Sequence, residues 1–152
     1  MEIITRVKNS DIYKKWHTNE YLVNYFFMGN TETIDFYSKK TKKITSFVIS
    51  DTIEMKEDAV FQKEGEDLEE LEIEKVKIER EEALKKATER REKKLPEEQI
   101  TKTIAILQQQ KHPIWNITYV TSNFNMFNVK IDARNGEIIE EKMHSLMNMI
   151  KK

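Results

Sequence analysis

The chain has 152 residues, which is enough for one ordinary domain or for two small domains with a shared core. It contains no cysteine, so disulfides, thiol nucleophiles and thiolate metal sites are excluded. Its formal net charge of −1 gives no general attraction to nucleic acid or to an anionic membrane surface.

The first 50 residues predict a short helix followed by three strands. Ser10 or Asp11 is a suitable N-terminal cap for a helix that ends near His17. Runs of alternating and β-branched residues follow, separated by polar turns. They predict strands at about 20–28, 32–38 and 43–50.

The first of these strands is apolar on both of its faces. Strict alternation places one set of side chains on one face, namely Tyr21, Val23, Tyr25 and Phe27. The opposite face then carries Leu22, Phe26 and Met28. A strand with one face in solvent would carry polar residues on that face. We therefore expect a helix to cover one face and a second sheet or subunit to cover the other.

Residues 51–80 form an acidic middle segment with 12 acidic and 5 basic side chains. The segment shows no sustained apolar period, so we predict that residues 51–74 are a solvated linker, partly extended and mobile around 63–70. An acidic segment that binds a partner is the alternative. Residues 76–78 follow as a candidate short strand.

Two helices are predicted between residues 79 and 110. The first spans 79–94, and the acidic residues of its first turn suit the positive end of the helix dipole. The second spans 97–110, where Pro96 suits the start of a helix. Its apolar residues have the i, i+4, i+7 spacing of one buried helical stripe, and they are Ile100, Ile104 and Leu107.

The C-terminal residues predict three strands and a last helix. The strand at 115–121 alternates apolar and polar residues. The strand at 127–132 leads through Asn135 and Gly136, a two-residue hairpin signal, into a strand that carries Ile138. Apolar residues at i, i+3, i+4 and i+7 then predict an amphipathic C-terminal helix with Met143, Leu146, Met147 and Ile150 on one face.

The two groups of strands resemble each other closely enough to suggest a repeat. The aromatic and aliphatic residues of 115–119 align with those of 21–25 at a shift of 94 residues, and Ile138 aligns with Ile44 at the same shift. Length differences of one residue, confined to turns, are what a duplicated unit would accumulate. A chance match between two meanders is the alternative.

The second half resembles the PepSY family over residues 74–142. Residues 78–87 are similar to the helix opening of that family, and 115–119 are similar to its aromatic strand. Residues 129–138 match its closing strand pair and turn. Residues 10–50 resemble the family more weakly, so we interpret them as a degenerate repeat.

The resemblance implies an α+β fold in which a helix packs on an antiparallel sheet, a cystatin-like arrangement. Applied to both halves, it predicts two tandem units. These are an abbreviated unit at 1–50 and a complete unit with a C-terminal helix at 75–152, joined by the acidic linker at 51–74. Members of the family occur in propeptides of secreted metallopeptidases and in bacterial surface proteins, with a proposed role in restraining peptidases.

No residue pattern indicates catalysis, a cofactor or a metal ion. The three histidines, His17, His112 and His144, lack the spacing of zinc ligands. The three glycines are too widely spaced for a phosphate-binding loop. Asp132 stands just before a turn, where an aspartate commonly accepts hydrogen bonds from turn amides. We therefore expect no enzyme, no cofactor and no metal.

The leading hypothesis is a non-enzymatic binding or regulatory module that contacts a protein partner or a second copy of itself, and the family implies that it is peptidase-related. The alternative is a domain with a pocket for a small apolar ligand between sheet and helix. We expect neither nucleic acid nor membrane as a partner. The candidate partner or ligand surface comprises Tyr25, Phe26, Met28, Trp115, Tyr119 and Met147.

The sequence also predicts a location. No apolar run approaches the roughly 18–20 residues that span a bilayer, and the first residues contain no continuous apolar signal segment. We therefore expect a cytoplasmic protein.

Overall fold

A computed structural model describes residues 1–60 and 66–147, and the side chains of these residues except those at 58–60. The helices are α1 (Glu2–Lys8), α2 (Asp11–Trp16) and α3 (Arg80–Lys94), with a 3-10 turn at Ile73–Lys75. The first four strands are β1 (Tyr21–Met28), β2 (Thr31–Tyr37), β3 (Lys43–Ile49) and β4 (Ile53–Val60). The last four are β5 (Ile100–Gln110), β6 (His112–Thr121), β7 (Asn125–Asp132) and β8 (Ile138–Ser145).

All of these strands belong to one antiparallel sheet with the order β4-β3-β2-β1-β5-β6-β7-β8. The sheet therefore consists of two four-stranded meanders, and β1 pairs with β5 where they join. Helices precede each meander, with α1 and α2 before β1 and α3 before β5. The predicted α+β fold, with helices packed on an antiparallel sheet, is confirmed.

The helices cover the same face of the sheet, which we call the helix face. Ala83 and Ala87 of α3 are fully buried, and their small side chains let the helix lie close to β6 and β7. In the first half, Tyr13 and Trp16 of α2 pack on aromatic residues of β2 and β3. Aromatic pairs of this kind contribute about 0.5–1.5 kcal/mol beyond their buried area.

The predicted helix at Ser10–His17 is confirmed as α2. The Ser10 hydroxyl accepts a hydrogen bond from the Tyr13 amide at 3.3 Å, which is the expected N-terminal cap. Strands β1, β2 and β3 lie within a residue of their predicted positions, and α3 begins one residue later than predicted.

The predicted faces of β1 are wrong for its first residues, because the strand contains a bulge. Leu22 pairs with Phe36 and Asn24 pairs with Asp35, so Val23 is the extra residue. The bulge places Leu22 and Tyr25 together on the helix face, although strict alternation had placed them on opposite faces. Val23 is buried outside the main core cluster.

The prediction of a helix at 97–110 is also wrong, since residues 100–110 form strand β5. This segment has β1 on one side and β6 on the other, so hydrogen-bonded neighbours favour the extended form. Ala105 and Leu107 are buried on the helix face, and Ile104 and Ile106 lie on the opposite face. The i, i+4, i+7 spacing of the apolar residues had concealed this alternation.

The segment predicted as a linker at 51–74 contains ordered structure. Strand β4 occupies Ile53–Val60. Further on, Leu71 is buried, and its amide donates a hydrogen bond to the Leu22 carbonyl at 2.8 Å. Of the predicted mobile region at 63–70, residues 63–65 lie outside the described residues. The division of the chain at 1–50, 51–74 and 75–152 stays a prediction.

The predicted short strand at 76–78 is absent. Instead, the amides of Lys77 and Ile78 both donate to the Ala133 carbonyl, at 2.8 and 3.0 Å. The Asn135 and Gly136 turn is present but longer than a two-residue hairpin, because the Asp132 amide bonds to the Glu137 carbonyl. Only Gly136 of the two has a positive φ, of +82°.

The predicted C-terminal helix is wrong at its start, because Met143 lies in β8, which continues to Ser145. Leu146 and Met147 are helical, and Ile150 lies outside the described residues. The residue-by-residue repeat is wrong as well. It aligned β6 with β1, but β6 is the second strand of its meander and occupies the position of β2.

Candidate binding surfaces

Three of the six predicted surface residues lie in the core on the helix face. Tyr25 and Trp115 are fully buried, and their rings form an edge-to-face contact at 5.9 Å between centroids. Tyr119 is also buried. Their side chains fill the space between sheet and helix where the sequence suggested an apolar ligand pocket.

The polar ends of these residues have partners within the fold. The Trp115 indole donates to the Ile78 carbonyl at 2.7 Å. The hydroxyls of Tyr119 and Thr88 are hydrogen-bonded at 2.8 Å, and the Arg91 guanidinium lies over the Tyr119 ring. Burial raises the pKa of Tyr119. These contacts attach α3 to β6, which is a structural role.

Tyr25 belongs to a polar cluster that links the two halves of the chain. Its hydroxyl donates to the Glu32 carboxylate at 2.7 Å and accepts from the Arg80 guanidinium at 2.8 Å. Arg80 also pairs with Glu32 at 3.2 Å and lies 4.2 Å above the centre of the Phe27 ring. Burial and the hydrogen bond to Glu32 raise the pKa of Tyr25. Arg80 thereby ties α3 to β1 and β2.

A cleft of about 640 Å³ opens beside this cluster and α1. Its walls include Glu32, Glu79, Arg80, Glu81 and Arg6. A ligand here would meet charged groups, several of which already pair with one another. The cleft therefore differs in chemistry from the predicted apolar pocket.

The opposite face of the sheet, which we call the open face, carries an apolar stripe across the junction of the two meanders. Phe26 lies opposite Ile106, and Met28 lies opposite Ile104 on the neighbouring strand. All four side chains are partly exposed, and Met28 reaches 36%. We call these four residues the junction stripe.

Polar side chains border the junction stripe on both sides. On the β2 side, the Asp35 carboxylate accepts hydrogen bonds from Asn24 and from the buried Ser46. On the β6 side, the Asn128 amide donates to Asn116 at 2.6 Å and to Thr118 at 2.8 Å. An apolar centre with a hydrogen-bonded polar border is the usual composition of a protein interface.

The acidic residues before α3 cover one end of the open face. The Tyr37 hydroxyl donates to Asp67 at 2.8 Å, and the Tyr21 hydroxyl donates to the Leu68 carbonyl. Hydrogen bonds from Lys42 and Tyr37 lower the pKa of Asp67. These hydrogen bonds lie at Tyr21 and Tyr37, which are at the opposite end of the β1–β2 pair from Met28.

Sequence reasoning located half of the junction stripe. Phe26 and Met28 were predicted as surface residues, whereas Ile104 and Ile106 were missed because residues 97–110 had been assigned to a helix. The alternation of Thr103, Ala105 and Leu107 on the other side of this strand was the available signal.

The outer strand β8 carries a second group of exposed apolar residues. Ile138, Ile139 and Met143 are 42%, 51% and 48% exposed, and Met147 beyond the strand is 43% exposed. Glu141 in the middle of β8 forms two hydrogen bonds with the Arg90 guanidinium of α3. The Arg90 contact holds β8 to the helix layer and lowers the pKa of Glu141.

The predicted turn role of Asp132 is confirmed. Its carboxylate accepts a hydrogen bond from the Arg134 amide at 2.9 Å and is paired with the Arg134 guanidinium. The guanidinium contact lowers the pKa of Asp132. Over the described residues there is neither a cluster of three or more potential metal ligands nor a helix long and apolar enough to cross a membrane.

The fold places this chain in the class of α+β proteins in which helices cover one face of an antiparallel sheet. Residues 77–142, which run from just before α3 into β8, match the model of the PepSY family, described as "Peptidase propeptide and YPEB domain". This segment is therefore similar to a PepSY domain, as the sequence resemblance predicted. PepSY domains are typically non-catalytic modules.

A crystal structure described as a putative lipoprotein from Clostridium difficile 630 has a similar fold over nearly the whole chain. The TM-score is 0.61 with 15% sequence identity, and the match covers 94% of this chain and 91% of that chain. At this identity the similarity shows the fold alone. No curated protein matches the chain.

The expectation of a cytoplasmic protein is contradicted by these comparisons. The protein of similar fold is described as a lipoprotein, and PepSY domains usually occur in secreted or membrane-anchored proteins. The expectation had rested on the lack of an apolar signal segment among the first residues, and that observation does not decide location.

Proposed function

We propose that this chain is a non-catalytic binding module of the peptidase-propeptide type, which acts outside the cytoplasm and contacts a protein partner through the open face of its sheet. The match of residues 77–142 to the PepSY family supports the class of module. The lipoprotein description of the similar structure supports the location.

The junction stripe is the observation that carries the proposal. Its four side chains come from two adjacent central strands, so the sheet holds them in fixed positions. Apolar area removed from water on binding contributes about 25 cal/mol per Å². The polar border is already hydrogen-bonded within the sheet, so a partner that covers the stripe leaves few of these groups without a partner.

The helix face supports a structural role instead. Tyr25, Trp115 and Tyr119 are buried with their polar ends paired, so an apolar ligand would have to displace them. The contrast between the two faces favours protein contact over the alternative of a small-ligand pocket. The binding role of Phe26 and Met28 is part of this proposal, whereas the predicted role of Met147 stays a prediction.

Site-specific photocrosslinking in cells of the source organism tests the proposal. A benzophenone amino acid in place of Met28 should give one discrete protein adduct, because that position faces the partner. Lys85 is exposed on α3 and is the matched control position. The Phe26→Lys substitution should abolish the adduct formed from position 28 without reducing the amount of folded protein.

Two results would contradict the proposal. One is the same adduct pattern from positions 28 and 85, which would indicate non-specific contact. The other is an adduct from position 28 that survives the Phe26→Lys substitution, because a partner that covers the junction stripe would bury the introduced charge.

A further inference from the structure

The two ends of the sheet differ in the side chains that they present. Strands β4 and β8 lie at the ends of the strand order, so within the described residues no strand pairs with their outer sides. Unpaired strand edges invite pairing with another chain, and proteins usually protect them with charges. The middle of β4 follows this rule, with exposed Glu54, Lys56 and Glu57 around Met55.

Strand β8 combines charges with exposed apolar side chains. Ile139 and Met143 flank the charged triplet Glu140, Glu141 and Lys142. The order is therefore apolar, acidic, acidic, basic, apolar. When two copies of this segment run antiparallel with their central residues opposite each other, the flanking acidic residue of one copy lies opposite the basic residue of the other. The apolar residues at the two ends also lie opposite each other.

We propose that β8 pairs antiparallel with β8 of a second copy of this chain, with the twofold axis at Glu141. In this register Ile139 lies opposite Met143, and Glu140 lies opposite Lys142, each pair occurring twice across the axis. Pairs that lie directly opposite in an antiparallel sheet have Cβ atoms about 4.5–5.5 Å apart, close enough for both contacts.

Neighbouring registers are less favourable. A shift that centres the axis on Lys142 places the two lysines opposite each other and Glu141 opposite Met143. A shift that centres it on Glu140 places Ile138 opposite Lys142. Only the Glu141-centred register pairs every apolar residue among 139–143 with another apolar residue and every lysine with a carboxylate.

The self-opposed Glu141 residues are compatible with this register because each carries its own counter-ion. The Arg90 guanidinium of the same chain holds each Glu141 carboxylate through two hydrogen bonds. The pair of carboxylates at the axis is therefore accompanied by two guanidinium groups, and the four charges balance.

The pairing would produce one continuous sheet of sixteen strands, eight from each copy. Around the axis, Glu140, Lys142 and His144 lie on the open face of β8, and Glu141 and Met143 lie on the helix face, so the register keeps each set together. Ile139 is the extra residue of a bulge between Ile138 and Glu140. Helices of both copies would then lie on the same side. Both junction stripes would lie on the other face of the sheet, so the dimer would carry two binding surfaces.

Sedimentation velocity over a range of concentrations, with far-UV circular dichroism to verify folding, tests the register. Across the axis, the Lys142→Glu substitution turns two opposite-charge pairs into like-charge pairs. Within each chain it also removes the ion pair between Lys142 and Glu140 at 3.1 Å, which the double variant below restores. The substitution should raise the dimer dissociation constant by roughly 3- to 30-fold. The Glu140→Lys/Lys142→Glu double variant restores both pairs and should recover most of the lost affinity. Glu54→Lys on β4 is the matched control and should leave association unchanged.

Disulfide trapping gives a second readout, because the chain contains no cysteine. The Cα atoms of directly opposed residues are about 4.5 or 5.5 Å apart, within the range that a disulfide bridges. Glu141→Cys should therefore form a covalent dimer under mild oxidation. Met143→Cys alone should not, whereas the Ile139→Cys/Met143→Cys double variant should.

Three results would overturn the inference. They are a wild-type chain that remains monomeric at millimolar concentration, equal trapping at positions 141 and 143, and a charge reversal at position 54 that weakens association as much as one at 142. None of these results bears on the adduct from position 28, so failure of the dimer and failure of the proposed function are distinguishable.

Discussion

The two faces of the sheet assign opposite roles to neighbouring residues of β1. Tyr25 points into the helix layer, is fully buried and has both hydrogen-bond partners of its hydroxyl within the chain. Phe26 is the next residue, lies on the open face and is partly exposed. Aromatic character alone therefore does not distinguish a core residue from a binding residue, but the face of the strand does.

The sharpest way to test this contrast is to remove a large side chain from each face. Trp115→Ala should lower the free energy of unfolding by about 3–5 kcal/mol, because it leaves a cavity in the core. It also removes the hydrogen bond to the Ile78 carbonyl. Phe26→Ala should cost clearly less, because its side chain is already partly in water. Urea denaturation monitored by circular dichroism gives both values.

Equal losses for these two substitutions would show that the open face is covered in solution. Retention of stability in Trp115→Ala would contradict the placement of this residue in the core.

The link between the two halves can be tested at Arg80. Arg80→Met should lower the free energy of unfolding by about 1–3 kcal/mol, because Glu32 and the Tyr25 hydroxyl lose a charged partner. Lys85→Met removes a cation from an exposed position of the same helix and should change stability by less than about 0.5 kcal/mol. Both values can be measured by urea denaturation at neutral pH.

An equal effect of the two substitutions would indicate that the Tyr25 cluster contributes nothing beyond the general charge of the helix.

Close packing of α3 on the sheet predicts sensitivity to added volume. Ala87→Leu should destabilise the fold by about 1–3 kcal/mol, since a fully buried alanine at the helix–sheet contact has no space for three more carbon atoms. Glu89→Leu adds an apolar side chain at an exposed position of the same helix and is the control. An Ala87→Leu variant as stable as the wild type in thermal unfolding would contradict the packing.

The turn between β7 and β8 gives a pH dependence of smaller size. The pKa of Asp132 is lowered in the folded chain, chiefly by the Arg134 guanidinium. The folded state therefore binds a proton less readily than the unfolded state, so the stabilisation is complete above the ordinary carboxyl pKa of about 4 and is lost as pH falls below it. The stability difference between wild type and Asp132→Asn should shrink between about pH 5 and pH 2.

A difference that stays constant over this range would show that the charge of Asp132 does not stabilise the turn.

Much of the fold could be predicted from local sequence. The strand with Trp115, Ile117 and Tyr119 alternates without interruption, and its faces were assigned correctly. Spacing alone did not decide the conformation of strand β5, because its apolar residues satisfy a helical period as well as a strand period. What decides between the two is pairing with β1 and β6, and β1 is distant in sequence.

The candidate site was harder to predict because it depends on two non-local features. The bulge at Val23 exchanges the faces of the residues before it, and no glycine or proline marks its position. The stripe itself exists only because β1 and β5, about 80 residues apart in sequence, are neighbours in the sheet. The sequence identifies Phe26 and Met28 as candidate surface residues, but it does not show which residues of the neighbouring strand lie beside them.

The most direct measurement of the contrast between the faces is methyl NMR with a soluble paramagnetic agent. The methyl groups of Met28, Ile104 and Ile106 should broaden strongly as the agent is added to the free protein. Those of Ile117 and Val129, which are fully buried on the helix face, should stay sharp. Equal protection of both groups would contradict an open face that is available to a partner.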